Sequence, residues 1–138
     1  MALDLIPKLH RATHQVGGYL ARADHGAPVS QAEAHVLAHL ASGAASVAEL
    51  HRSFGHKRST LSSVLNRLEE RGLIERRINP DDRRSFMIEL TDTGSRVARA
   101  VRTSLERLER RVRKRLGDAG ADQLARLLGA IADAADEG

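Results

Sequence analysis

The sequence predicts a mainly α-helical protein with one small β-hairpin. Apolar residues recur at three- and four-residue spacings through most of the chain, the period of a helix with one buried face. Only Leu73–Ile78 and Ser85–Leu90 turn short and extended, and the turn-rich Asn79–Arg84 joins them. The 41% hydrophobic content is mostly Ala, Leu and Val, with 2% aromatic residues, a set that suits helix packing better than an aromatic-rich sheet core. At 138 residues the chain fits one compact domain with an appended oligomerisation segment.

The elements follow in order. Leu5, Ile6, Leu9, Ala12, Val16, Tyr19 and Leu20 make an amphipathic helix over about 3–23, with Gly17 and Gly18 as its weak spot. Gly26 and Pro28 mark a loop. Ser30 caps a second helix, and Glu33 stands where a capping box needs it. Ser46 caps a short third helix, Val47–Ser53, and Phe54-Gly55 make a tight connection to a fourth over about 57–71. There Leu61, Val64, Leu65 and Leu68 form one apolar stripe, while Arg58, Ser59, Ser62, Ser63, Asn66 and Arg67 occupy the other faces. Gly72 ends that helix. After the hairpin, Thr91 caps a long helix to about Leu116, whose seam Val97, Val101, Leu105, Leu108, Val112 and Leu116 is nearly a heptad. A last helix, about 121–135, presents Leu124, Leu127, Leu128 and Ile131.

Charge narrows the function. The net value is +4, with 22 basic against 18 acidic residues, so distribution carries more than the sum. Nineteen basic residues are Arg, most lie between Arg52 and Arg115, and the segment after Gly117 is acidic. Arginine favours planar, bidentate partners such as phosphates and guanine edges. A solvated Arg-rich surface fits the composition equally well. So few aromatics argue against single-strand binding by base stacking. Cysteine is absent, which removes disulfides and thiolate metal sites. No apolar run approaches the ~20 residues that span a bilayer, and no signal peptide opens the chain, so a soluble cytoplasmic protein is expected. No nucleophile–base motif, Gly-rich phosphate loop or H-E-x-x-H frame points to an enzyme.

A short helix, a tight turn, a Ser- and Arg-studded helix and a basic-tipped hairpin together read as a winged helix-turn-helix. In that arrangement the second helix lies in the major groove of duplex DNA, where side chains meet base edges. Close approach needs small, hydrogen-bonding residues on its outer face, which Ser59, Thr60, Ser62 and Ser63 supply. Four Ser/Thr in five positions is a costly choice for a merely solvated helix.

The run STLSSVLNRLEERGLIERR (59–77), followed by NPDDRRSFMIELTDTG (79–94), closely resembles the recognition helix and wing of the MarR (multiple-antibiotic-resistance regulator) family. The similarity covers about 30–94, and its most specific part is the acidic-basic wing tip followed by L-T-x-x-G. The resemblance implies a single domain over 1–138, with a DNA-binding lobe at 30–94 and dimerisation helices at 1–23 and 95–138. It implies a homodimeric, sequence-specific transcription regulator acting on palindromic DNA, as a ligand-responsive repressor. Arg84 would enter the minor groove with Asp82 as its brace. Arg58, Ser59, Thr60, Ser62, Ser63 and Asn66 would face the major groove, and Lys57, Arg67, Arg77 and Arg83 the phosphates. Two positions depart from the pattern. Lys57 replaces the usual Ser- or Asp-like cap, and Ser63 stands where a basic residue is frequent.

The resemblance also implies a small anionic or phenolic effector in a cleft beside the dimer helices, and no cofactor. His10 and His14, and His35 and His39, are pairs at i, i+4, so they are candidate cleft residues. Structural or anion-contacting roles, a transition-metal site and a pH-sensitive cluster all fit that spacing. No carboxylate or Cys completes a metal site in sequence, and none is assigned. The competing functional reading is a sequence-neutral architectural DNA-binding protein with the same basic surfaces.

Overall fold

A computed structural model describes residues 1–55 and 57–137. In chain order the elements are α1 (Leu5–Arg22), α2 (Gln31–Leu40), β1 (Ala45–Ser46), α3 (Val47–Phe54), α4 (Arg58–Glu70), β2 (Ile74–Ile78), β3 (Phe86–Leu90) and α5 (Asp92–Asp136). They form two compact units, Met1–Ser104 and Leu105–Gly138, with α5 contributing to both.

The first unit is built on its caps. Ser30 and Glu33 form the expected capping box on α2, and Ser46 with Glu49 forms a second on α3. Gly55 ends α3 in the left-handed region at φ 62°, which lets the chain turn at once toward α4. The core is assembled from Leu37 and Leu40 of α2, Leu50 of α3, the stripe Leu61, Val64, Leu65 and Leu68 of α4, and Val97, Ala98 and Val101 of α5. Ile74 and Ile88 add the inner face of the sheet.

Three features extend or alter the sequence reading. The hairpin is part of a three-stranded antiparallel sheet in the order β1-β3-β2, with Ala45 opposite Ile88 and Ser46 opposite Met87. Two-residue β1 is too short to leave a periodic signal. Second, α1 runs unbroken through Gly17 and Gly18. A Cβ on Gly17 would lie 2.7 Å from Gln31 Oε1, the far end of a flexible side chain at the start of α2. Third, the long helix and the last one are two helices, as expected, but they follow one another without an intervening loop, divided by a backbone break at Gly117, at φ 74° and ψ 157°. In that second unit Arg113 joins Glu109 at 2.8 Å, Asp122 at 3.1 Å and Asp118 at 3.4 Å, tying together residues on both sides of the break.

Glu33 links α2 to the end of α4. Its carboxylate is buried, accepts from the Ser30 N–H at 3.0 Å and pairs with Arg71 at 3.0 Å. Arg71 also donates to the carbonyl of Pro28. Burial pushes the Glu33 pKa up, but the Ser30 backbone and hydroxyl, with Arg71 and Arg67, outweigh it and hold the value below the ordinary 4.5.

The start of α5 is packed closely against the end of α4 and the start of β2. Thr91 donates its N–H to the Leu73 carbonyl at 3.1 Å and its hydroxyl to the Gly72 carbonyl at 2.6 Å, and accepts from the Gly94 N–H at 3.0 Å. A Cβ on Gly94 would stand 1.8 Å from the Leu73 carbonyl oxygen. The L-T-x-x-G run therefore marks a cap and a close backbone approach.

Three substitutions probe these features. Gly94→Ala should destabilise the protein by about 3 kcal/mol, because backbone must move. Gly129→Ala, whose Cβ meets nothing within 4 Å in a helix, should not lower the urea midpoint. For Glu33, a lowered folded pKa means its stabilisation is complete above the unfolded value and is lost as pH falls through the folded one. Urea titrations across pH 7 to 3 should show wild type losing its advantage over Glu33→Gln only on the acid side; a constant gap would refute the charge-based account.

Candidate nucleic-acid interface

The interface is built from α3, α4 and the wing. The apolar stripe of α4 is buried, so Arg58, Ser59, Thr60, Ser62, Ser63 and Asn66 are all left exposed on its outer side. Lys57 occupies the N-cap position of α4 and makes no side-chain cap, and no acidic residue stands in the first turn. The leading N–H groups of this 13-residue helix therefore carry their partial positive charge uncompensated, beside two cationic side chains. That end is suited to a phosphate. A Ser or Asp cap would have satisfied one of those donors internally.

The wing tip is tied before any partner arrives. Asn79 donates its N–H to the Ser85 carbonyl at 3.1 Å, Asp82 to the Asn79 carbonyl at 3.2 Å, and Ser85 to the Asp82 carbonyl at 3.1 Å. The Asn79 side chain accepts from the Asp81 N–H at 3.0 Å and donates to Ser85 Oγ at 3.2 Å. Asp82 accepts from the Arg84 N–H at 3.0 Å. This contact is to the backbone of Arg84, so Asp82 holds the turn that presents the arginine rather than gripping its guanidinium. Arg83 and Arg84 are both exposed.

Between α3, α4 and the wing lies an open cleft of about 570 Å³. Its cationic lining is Arg52 of α3, Arg58 of α4, Arg76 of β2 and Arg84 of the wing, with His51 and Ser62 beside them and Phe86 on the strand side. Arg52 and Arg76 are not evident from the motif. The available signal for Arg76 is its register: Ile74, Arg76 and Ile78 share one face of β2, so an arginine occupies an apolar position of an alternating strand.

Other candidate residues lie elsewhere. Arg77 is on the opposite face of β2 from Arg76 and pairs with Glu89 at 2.5 Å. Arg67 lies on the side of α4 whose charge acts on Glu33. Neither lines the cleft. His10 and His14 are exposed on α1, whereas His39 meets the Phe54 ring edge-on at 5.6 Å and His35 lies beside a small surface hollow with Phe54. Among the described residues, no group of three or more His, Asp or Glu is placed to hold a metal ion. Among the described residues, the buried histidine is one in neither pair, His25, with Nε2 at 3.1 Å from Ser104 Oγ. Among the described residues no helix is long and apolar enough to cross a membrane.

Comparison with known proteins agrees with this geometry. A MarR-family sequence profile matches residues 18–85, which include α2 through the wing tip. A Thauera aromatica protein assigned to transcriptional regulation of the hcr operon is 35% identical over 71 residues, or 51% of this chain. The match spans 43% of that relative's own length. The PcaV transcriptional regulator of Streptomyces coelicolor, solved with its natural ligand, superposes with a TM-score of 0.76 at 26% identity, covering 98% of this chain and 99% of PcaV. MepR of S. aureus, solved as a DNA complex, shares the fold with a TM-score of 0.81 at 18% identity, covering 96% of this chain and 99% of MepR. The profile match, the relative and the shared fold agree in making this chain similar to the MarR family of transcriptional regulators.

Proposed function

We propose that the protein is a ligand-responsive transcription regulator, not an enzyme, that binds a palindromic duplex DNA site as a homodimer in the cytoplasm. The observation that carries this is the cleft in which Arg52, Arg58, Arg76 and Arg84 converge from three separate elements. Arg76 is already paired with Glu69, so the guanidinium groups of Arg52, Arg58 and Arg84 are the ones that favour an anion among them, and a DNA strand passing between recognition helix and wing supplies phosphates at that place. With α4 in the major groove, Arg58, Ser59, Thr60, Ser62, Ser63 and Asn66 face base edges, while Arg84 reaches the adjacent minor groove, whose narrow form concentrates negative potential. Lys57 and Arg83 complete the phosphate contacts, and Arg67 and Arg77 act at the margin. MepR, which shares this fold, has been solved on DNA.

Homodimerisation is supported by apolar surface that a lone chain leaves wet. Leu3, Leu5 and Ile6 of the first unit are more than half exposed, and Leu116, Leu124, Leu127 and Leu128 of the second are 40–52% exposed. A second copy covering these faces would recover roughly 25 cal/mol for each Å² removed from water. A two-fold axis would then set two recognition helices about one DNA turn (~34 Å) apart, and the operator would share the symmetry. PcaV was solved with a natural ligand. We extend this to a small anionic or phenolic effector that releases DNA, with His10, His14, His35 and His39 as the residues to examine first.

Binding should be measured with a palindromic site from the protein's own upstream region and with random duplex at the same salt. A regulator should prefer the former by at least ~10³-fold; near-equal affinity would favour the architectural alternative. Arg84→Ala should weaken operator binding by about 1–3 kcal/mol with fold and dimer intact. Asp82→Ala should move affinity in the same direction and less far, since it loosens the turn but leaves the guanidinium. Unchanged affinity in both would remove the wing from the interface.

A further inference from the structure

The major-groove face of α4 contains a residue whose hydrogen-bonding capacity is already partly used inside the protein. Asn66 stands one turn beyond Ser62 and two beyond Arg58, along one i, i+4 row of the exposed face. Arg76 Nη2 donates to Asn66 Oδ1 at 2.5 Å. Because arginine has only donors, the Asn66 atom that faces it must be the carbonyl oxygen, whichever way the amide is first drawn. The amide N–H₂ is thereby turned away from Arg76.

Arg76 is not free to swing aside. Its backbone is held in β2 opposite Ile88, its side chain is 24% exposed, and its Nε is buried 3.4 Å from Glu69 Oε1. That approach makes an ion pair without hydrogen-bond geometry. Among the described residues, Nε is the buried side-chain polar atom left without a hydrogen-bond partner. Separating Arg76 from Asn66 would remove a charge-assisted bond from a cation that already lacks one.

We infer that Arg76 is a positioning residue that fixes which base Asn66 can read: with its oxygen drawn toward Arg76 and β2, Asn66 turns its N–H donors to the DNA and selects guanine over adenine. This rests on the DNA-binding reading above. Adenine presents an acceptor and a donor in the major groove, and an asparagine reads it bidentately only when both its oxygen and its nitrogen are available. Guanine presents two acceptors, N7 and O6, which an N–H₂ group alone can satisfy. Against adenine, Asn66 would leave the N6 amino group facing no acceptor.

The test is selection from a duplex pool randomised across both half-sites, using the full-length protein, followed by titration of single-base variants. Wild type should select guanine at one position in each half-site, and Asn66→Ala should relax that position alone. Replacing that guanine by adenine should weaken wild type about tenfold and Asn66→Ala about twofold or less. Asn66→Asp keeps an oxygen for Arg76 and removes both donors, so it should move the preference to cytosine, whose N4 group donates. Arg76→Met frees the Asn66 oxygen and should move the preference to adenine. If Arg76→Met loses its helical circular dichroism, the Asn66→Asp result decides. Adenine at the Asn66-dependent position in wild type would overturn the inference, as would a selected palindrome with no position that Asn66→Ala relaxes. In both of those outcomes the regulator reading stands. A pool that yields no preferred sequence, with salt-dependent binding intact, would instead overturn sequence-specific reading and this inference with it.

Discussion

The carbonyl of Leu73 and the hydroxyl of Thr91 make the joint on which the DNA-facing surface depends. Gly72 ends α4, Leu73 and Ile74 lead into β2, and Thr91 receives the chain as β3 leaves the sheet. The Thr91 bonds to Gly72 and Leu73 bring the end of the recognition helix, the base of the wing and the first turn of α5 together. Gly94 permits it, since only a residue without a side chain can stand so close to the Leu73 carbonyl. A wing attached through a flexible loop would sample many angles to α4, and each sampled angle would add ordering entropy to binding. The joint removes that freedom at the root of the hairpin, and the bonds among Asn79, Asp82 and Ser85 remove it at the tip.

The charges are then arranged on a frame that does not have to move. A net charge of +4 is too small to attract nucleic acid from a distance by itself. The attraction is local, made by guanidinium groups from α3, α4, β2 and the wing around one cleft, and by an α4 terminus whose N–H groups lack a side-chain cap. Lys57 at the cap position fits this account. A capping serine would add helix stability, commonly near 1 kcal/mol, and would cover one of the donors that a phosphate can use.

The elements easiest to read in the sequence are those whose determinants are local. Ser30 with Glu33, Ser46 ahead of Val47, Gly55, Gly72 and Thr91 mark their boundaries because each cap involves residues within a few positions of one another. The stripe of α4 is equally plain, and with it the outward direction of Arg58, Ser62 and Asn66. What could not be read depends on contacts between distant segments. Ala45–Ser46 becomes a strand only because β3 passes beside it. Arg76 and Arg77 are chemically alike in sequence, and strand register alone separates them, sending one to the cleft and the other to Glu89. Asp82 was legible as a partner of Arg84, but whether it would meet backbone or guanidinium depends on the shape of the turn.

The same distinction divides affinity from sequence choice. Guanidinium–phosphate contacts are strong, weakened by salt and nearly indifferent to base identity, so the arginine cleft can seat a backbone without naming a sequence. Discrimination must come from the groups on α4 that face base edges, Arg58 and a few neutral ones, and the protein constrains some of the neutral ones by its own hydrogen bonds. Ser63 donates its hydroxyl proton to the Ser59 carbonyl at 3.0 Å, which leaves lone pairs as its outward offering. The Asn66 oxygen faces Arg76, which leaves donors. Two residues that look equally versatile in sequence therefore present opposite polarity to the groove. A recognition helix read as a string of side chains overstates its options, because the internal bonds that hold those side chains also remove part of what they could recognise.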